Sequence, residues 1–379
     1  MSVIIRHVEI CLKVVGLWHD STNSFGFYLV ILCLISHMPF QLWHAVVVRH
    51  NFEALMANLS VLMTISAAVV KLIAFRLKGR NVRYVVKEMM DDWINENHVS
   101  NASVMKEQMN RGNYLTKWLI GAYNGVVILY MINVVTNYSW EKIEKRAYIM
   151  PAKYPVTWKR SPNYEIVVST QFIAGLLSNN SQAMIEGLLT ILVLHVGTKV
   201  HILKRELAIV SEVCQLSKDK KLTSKAMKLM INKHLNFIDF IEKIKDIYFY
   251  VSFFHVLIFT LLHFMIAYIL LDAFDKGDSS MKIFMYGLFT TRSLFSTMIH
   301  CACGEYLINQ GKQFVDDLNN VQWYEFSNTS DKRAISFILM KAQKPICLTP
   351  AKFGYLSYNY LSGIIRTSYS FLSLVRVSH

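Results

Sequence analysis

Asn179, Gln182 and Glu186 recur at intervals of three and four within an otherwise apolar run, which places them on one face of a helix. A carboxylate at such a position is costly unless it is paired. It marks either a functional group or a polar patch that packs helices together, and the sequence leaves both readings open. Arg292 and Lys71, each inside another apolar run, are the cations available to pair with it. His195 and His201 are six residues apart and do not stack on one helical face, so structural or interfacial roles suit them better than metal ligation. Cys301-x-Cys303 lacks zinc or redox spacing. With Cys11, Cys33, Cys214 and Cys347, these cysteines fall mostly in or beside apolar runs and read as small buried hydrophobes, not as a disulfide framework. There is no Gly-rich phosphate loop, HExxH, GxSxG or paired-Cys metal site, so the sequence reads as a non-enzyme without metal or cofactor.

A second constellation is aromatic. Tyr123 and Tyr130 lie seven apart in one apolar run, with Met63, Phe172, Tyr286 and Phe289 in three others. Side chains of this kind line small-molecule sites that are mostly apolar with a few hydroxyls, and each of them can also serve as core packing or face lipid.

The elements that position these groups follow from composition. Of 379 residues, 53% are hydrophobic and 17% charged, and the apolar residues come in long blocks, which predicts an all-α, polytopic membrane protein. Seven spans are expected, roughly at 25–47, 54–75, 115–137, 169–199, 246–272, 282–302 and 353–375. The fourth is interrupted by Ser178, Asn179, Asn180, Ser181, Gln182 and Glu186, a polar run that must face the bundle. No secretory signal precedes the first span.

With a cytoplasmic N-terminus, the inner segments carry 25 Lys and Arg and the outer ones 9, so the positive-inside rule places the N-terminus in and the C-terminus out. The loop 138–168, with six basic residues, is the main dissent, outweighed by the ten in 200–245. That distribution also explains the net charge of +14 without nucleic acid, for which no reading helix or zinc spacing is present. Segments 200–245 and 303–343 carry apolar residues at helical spacing, among them Phe314, Leu318, Val321, Ile335 and Ile338, and read as helices that extend the bundle below the membrane. The last segment, from Phe353, is apolar but carries Arg366, Thr367, Ser368, Tyr369, Ser370 and Ser373, groups that a protein interface or a water-filled path would satisfy.

Towards the chain end, Lys344-Pro345, Leu348-Thr349, Lys352-Phe353 and Thr367-Ser368-Tyr369-Ser370, preceded by Trp323, occur in the order seen at the end of insect odorant receptors, which this chain resembles from about Trp323 onward. The resemblance implies a subunit of a tetrameric ligand-gated non-selective cation channel in the plasma membrane of olfactory sensory neurons. It would bind small volatile odorants and assemble with a shared odorant co-receptor subunit within membrane lipid. It implies an odour pocket in the outer half of residues 1–302, among the second, third, fourth and sixth spans, where the aromatic constellation falls. It also implies cytoplasmic anchor helices in 303–352, using Phe314, Leu318 and Trp323, and a pore-lining helix in 353–379. The pore-lining half would comprise Tyr369, Leu372, Ser373, Val375 and Arg376, with Leu372 and Val375 as the hydrophobic constriction and Arg366 facing either the pore or a paired site. A gustatory receptor channel shares this topology but would end in Gln-Phe, absent here. A secondary transporter would show internal repeats and matched broken helices, and a G-protein-coupled receptor the opposite orientation.

Overall fold

The computed structural model describes residues 25–95, 99–137, 146–216, 219–326, 328–350 and 354–378, together with Glu9 and Lys13. Within them the chain runs through α1 (Phe25–Val47), α2 (Phe52–Leu77), α3 (Gly79–Asn95), α4 (Val99–Thr136), α5 (Asn163–Leu216), α6 (Lys220–Asp275), α7 (Ser280–Asn320), α8 (Thr329–Ala342) and α9 (Tyr358–Ser378). No strand occurs among the described residues. The expected all-α architecture is therefore present.

Local chemistry sets the helix ends. Asn51 caps α2 by accepting from Ala54 N at 3.0 Å, Asp219 caps α6 from Lys221 N at 2.8 Å, and Asn328 caps α8 from Ser330 N at 3.1 Å. At the end of α6, Gly277 takes φ +65°, and the amides of Gly277 and Asp278 return to Phe274 O and Ala273 O. This left-handed glycine cap turns the chain into α7.

The central element is α5. It packs along α4, α6 and α7 and also touches α1, α2 and α3. Its polar run therefore lies inside the bundle, where neighbouring helices supply partners, as the interrupted fourth span requires. By contrast, α1 exposes Phe25, Leu29, Leu32, Leu42 and Trp43 along one side, a surface suited to lipid.

Among the described residues, five helices are long and apolar enough to cross a membrane, by length and composition: α1, α2, and the segments Asn101–Thr136, Asn163–Gln215 and Lys221–Asp275. The other two expected spans fall on α7 and α9, whose apolar residues are interleaved with Ser, Thr, Gly and Arg.

The long helices extend well past the expected spans, since α6 alone contains 56 residues, and one helix was not foreseen at all. In α3, Val82, Val85, Val86 and Met89 form a buried stripe at helical spacing. Ion pairs fix the flank of that stripe, with Lys199 Nζ at 2.8 Å from both Glu88 and Asp92, and His195 Nε2 at 2.8 Å from Asp92. His195 is thus a structural residue, as its spacing suggested.

Candidate functional site

A cavity opens where the N-terminal half of α2, the C-terminal half of α4 and the start of α7 meet. Its wide part, about 700 Å³, is bordered by Ser60 and Val61 of α2, Tyr130 and Asn133 of α4, and Tyr286 and Phe289 of α7. The segment 146–154 covers it. That segment has no helix to satisfy its backbone, so distant groups do so: the Gln171 side chain accepts from Met150 N at 3.0 Å, the Tyr164 hydroxyl donates to Ala147 O at 2.6 Å, and the Lys153 amide donates to the backbone carbonyl of Phe40 at 3.1 Å. Tyr154 is fixed by Phe40 at 4.6 Å and Trp158 at 5.7 Å between ring centroids.

The cavity continues inward as a narrower space of about 90 Å³, bordered by Val61, Tyr130, Ile149, Phe289, Ser178 and Arg292. A further space of about 610 Å³ shares Tyr130, Asn133 and Tyr286 on the outward side. Tyr130 borders all three. The narrow part is mostly apolar with Arg292 at its end, while Arg146, Lys153 and Lys159 border the wide part; a small, mostly hydrocarbon ligand held by shape and a polar anchor suits the narrow part.

Beneath that end lies a buried polar network. Glu186 accepts from Lys71 Nζ at 2.9 Å, Ser296 Oγ at 2.8 Å and Tyr123 Oη at 2.5 Å. Asn179 Nδ2 donates to Tyr123 O at 2.6 Å, and Arg292 Nη2 donates to Asn179 Oδ1 at 3.0 Å. Gln182 Nε2 reaches Thr64 O at 3.4 Å. All three polar residues of the α5 face are engaged. Of the two cations foreseen for Glu186, Lys71 makes the ion pair, whereas Arg292 bonds to Asn179 and stacks on Tyr123 at 4.6 Å.

Glu186, His255 and His300 also bring possible ligand atoms within 4.8 Å of one another. The two imidazoles stack at 3.8 Å with a 17° tilt, so their lone pairs run side by side, and Glu186 already holds Lys71. This donor set does not converge on one metal position.

The expected ligand residues divide. Tyr130, Tyr286 and Phe289 border the cavity. Met63 packs against the same cores as Tyr286 and Phe289. Phe172 packs on the main core, and Tyr123 is wholly buried with its hydroxyl on Glu186. Arg292, Ser178, Ile149 and Tyr148 border the cavity without having been singled out for it. A polar residue opposite Asn179 was the available signal for Arg292, whereas nothing in the sequence folds 146–154 over the opening.

Phe314 and Leu318 are buried within the chain, Phe314 against His234 at 5.7 Å, and Trp323 is half-buried. On α9, Ile364, Ser368 and Leu372 form the buried face, while Arg366, Tyr369 and Ser373 are exposed. The side chains of Val375 and Arg376 lie outside the described ones, as do Lys352 and Phe353.

The fold is similar to that of the insect olfactory receptor OR5 from Machilis hrabei, with a TM-score of 0.73 at 14% identity over 98% of this chain and 97% of that one. The same receptor in complex with eugenol matches with TM-score 0.73 at 16% identity, over 99% and 98% of the two chains. Among curated proteins of Drosophila melanogaster, one provisionally named odorant receptor 92a is 30% identical over 97 residues, 26% of this chain and 24% of its own length. Odorant receptor 67c is 26% identical over 151 residues, 40% of this chain and 36% of its own length. These alignments span about a quarter and a third of the relatives. The model of the 7tm Odorant receptor family, a family of non-enzymatic receptors, matches residues 51–369, most of this multi-pass membrane chain, and the protein belongs to that family.

Proposed function

We propose that this chain is the odour-tuning subunit of a ligand-gated non-selective cation channel that works with an odorant co-receptor in the plasma membrane of olfactory sensory neurons. The observation that carries the reading is the cavity walled by Tyr130, Tyr286 and Phe289, closed above by 146–154 and ending at Arg292. Small volatile molecules fit such a site, and eugenol, bound by the related Machilis hrabei receptor, is of that kind. Seven spans, with the N-terminus cytoplasmic and the C-terminus outside, place the cavity in the outer half of the membrane. Use of the Asn137 sequon as a glycosylation site would test this side assignment.

The route from cavity to pore runs through α6 and α7. Both pack on α9, where Ser368 Oγ donates to Thr260 O of α6 at 3.1 Å and Phe371 meets Phe264 edge-on at 6.2 Å. A ligand that fits better when α7 is displaced shifts the population towards the state with α9 moved. Within residues 353–379, the exposed face with Arg366, Tyr369 and Ser373 is available to the pore and neighbouring subunits, while Leu372 packs within its own subunit. Within 303–352, exposed Tyr324, Phe337 and Met340 provide the apolar anchor surface between subunits, with Phe314 and Leu318 supporting it from inside.

Whole-cell recording under a volatile panel, with the chain expressed alone and with an insect odorant co-receptor, tests the reading. Odour-evoked cation current only in the co-expressing cells is expected. Absence of any evoked current in cells carrying both subunits at the surface would overturn it.

A further inference from the structure

Arg292 is 5% exposed, yet its guanidinium makes one hydrogen bond, through Nη2 to Asn179, while Nε and Nη1 are buried with no partner. A guanidinium stays charged in proteins, and a buried charge without a counter-ion is costly. Among the described residues, Glu186 is the only carboxylate bearing on Arg292, and it already forms an ion pair with Lys71. Two cations thus share one anion. The Tyr123 ring at 4.6 Å offsets part of the excess, but a ring face does not accept the in-plane N–H groups.

Ser178 borders the same narrow space as Arg292, and its buried hydroxyl also lacks a partner. Outward from these two groups the walls are hydrocarbon and aromatic, with Val61, Ile149, Tyr130 and Phe289. The narrow space therefore has a polar end short of an acceptor with negative charge and walls suited to an alkyl chain or ring, and it opens into the wide part bordered by Arg146, Lys153 and Lys159, of which Arg146 already donates to Lys159 O at 2.9 Å.

We propose that the inner end of this cavity binds the carboxylate of a small monocarboxylic acid. Arg292 and Ser178 donate to its oxygens, and Tyr130 and Phe289 flank its hydrocarbon tail. The inference rests on the cavity being the odorant site. The carboxylate supplies the counter-charge that the network lacks, which an aldehyde or ketone oxygen supplies only in part and a hydrocarbon not at all.

The test uses the full-length chain co-expressed with an insect odorant co-receptor, exposed to straight-chain acids from butanoic to decanoic, the matching aldehydes and the matching alkanes. In the unmodified receptor the best acid should be about tenfold or more as potent as its aldehyde, the scale of one charge-assisted hydrogen bond. Arg292→Met should abolish that advantage, so that the acid and its aldehyde become equipotent, while Ser178→Ala should reduce acid potency selectively. The unmodified receptor alone decides the matter if Arg292→Met fails to reach the surface. Neutral volatiles evoking current while no acid exceeds its aldehyde would overturn the carboxylate assignment and leave the odorant site standing. Equal losses for acids and neutral ligands in both variants would do the same. Silence to every volatile at normal surface expression would overturn both.

Discussion

Lys71 Nζ lies 2.9 Å from Glu186 Oε1, and neither side chain has more than 1% of its surface exposed. The pair joins α2 to α5 in the middle of the bundle, with Tyr123 of α4 and Ser296 of α7 donating to the same carboxylate. One side chain therefore ties four helices together.

Removing one partner leaves the other as an uncompensated buried charge. Lys71→Met is expected to cost about 3–5 kcal/mol, enough to lower the melting temperature of the detergent-solubilised receptor and its surface abundance. The double variant Lys71→Met with Glu186→Gln removes the stranded carboxylate but leaves Arg292 without an anion and keeps an acceptor oxygen for only one of Tyr123 and Ser296, so it should recover part of the loss. A single variant as stable as the parent would show that the pair does not hold the helices.

His234 lies on α6 well before the 246–272 apolar segment, in a three-ring cluster with Phe314 and Phe237. Burial pushes its pKa down to about 4, whereas an unfolded histidine titrates near 6.5. Between those values the unfolded chain takes up a proton that the folded chain refuses. The folded state is thus favoured above about pH 6.5 and loses up to roughly 3 kcal/mol as the medium is acidified towards pH 4. Thermal unfolding of solubilised receptor at neutral and mildly acidic pH should show this fall, and His234→Phe should flatten it. Glu242, Lys245, Lys341 and Lys344 border the same space and remain in the variant, and an unchanged slope would show that His234 does not carry the effect.

The buried pair and the interior position of α5 were legible because a carboxylate in an apolar helix must find a cation, and Lys71 was one of the two partners the sequence suggested from other spans. The aromatic wall was partly legible. Tyr130 and Phe289 reach the cavity, whereas Tyr123, one helical face and two turns away on α4, is drawn to Glu186. The periodicity that put both tyrosines on one side gives no depth along the bundle. Helix α3 escaped a membrane-length window because its apolar stripe is narrow and its charges are many. The cover formed by 146–154 depends on Gln171, Tyr164 and Phe40 acting across sequence gaps, which no local pattern encodes.

Gly304 of α7 marks where the approach to α9 crosses a helix at backbone distance. A Cβ there would sit 2.2 Å from Leu356 O and 2.7 Å from Leu356 Cβ, far inside van der Waals contact. Leu356 is itself held by its amide, which donates to Leu348 O at 2.9 Å, so it cannot simply swing aside. Gly304→Ala is expected to displace the start of α9 and abolish odour-evoked current. Gly125→Ala on α4, where a Cβ meets nothing within 4 Å, should leave the current intact. Equal currents in the two variants at matched surface expression would sever the proposed link between Leu356 and the pore helix.

Phe289 and Tyr130 each border both the narrow and the wide part of the cavity. Truncating either ring removes a wall and its dispersion contacts without exposing a buried charge, so the fold should survive while the ligand fits less closely. Phe289→Ala is expected to weaken small ligands about tenfold and larger ones less, because a long or branched tail can occupy the added space. Tyr130→Phe, which keeps the ring and removes the hydroxyl, should matter only for ligands carrying a polar group near the middle of their chain. The measurement is a concentration series of current across ligands of graded size, with surface labelling as the control. A uniform shift for all sizes would indicate a change in gating; a size-dependent shift is what a binding wall produces.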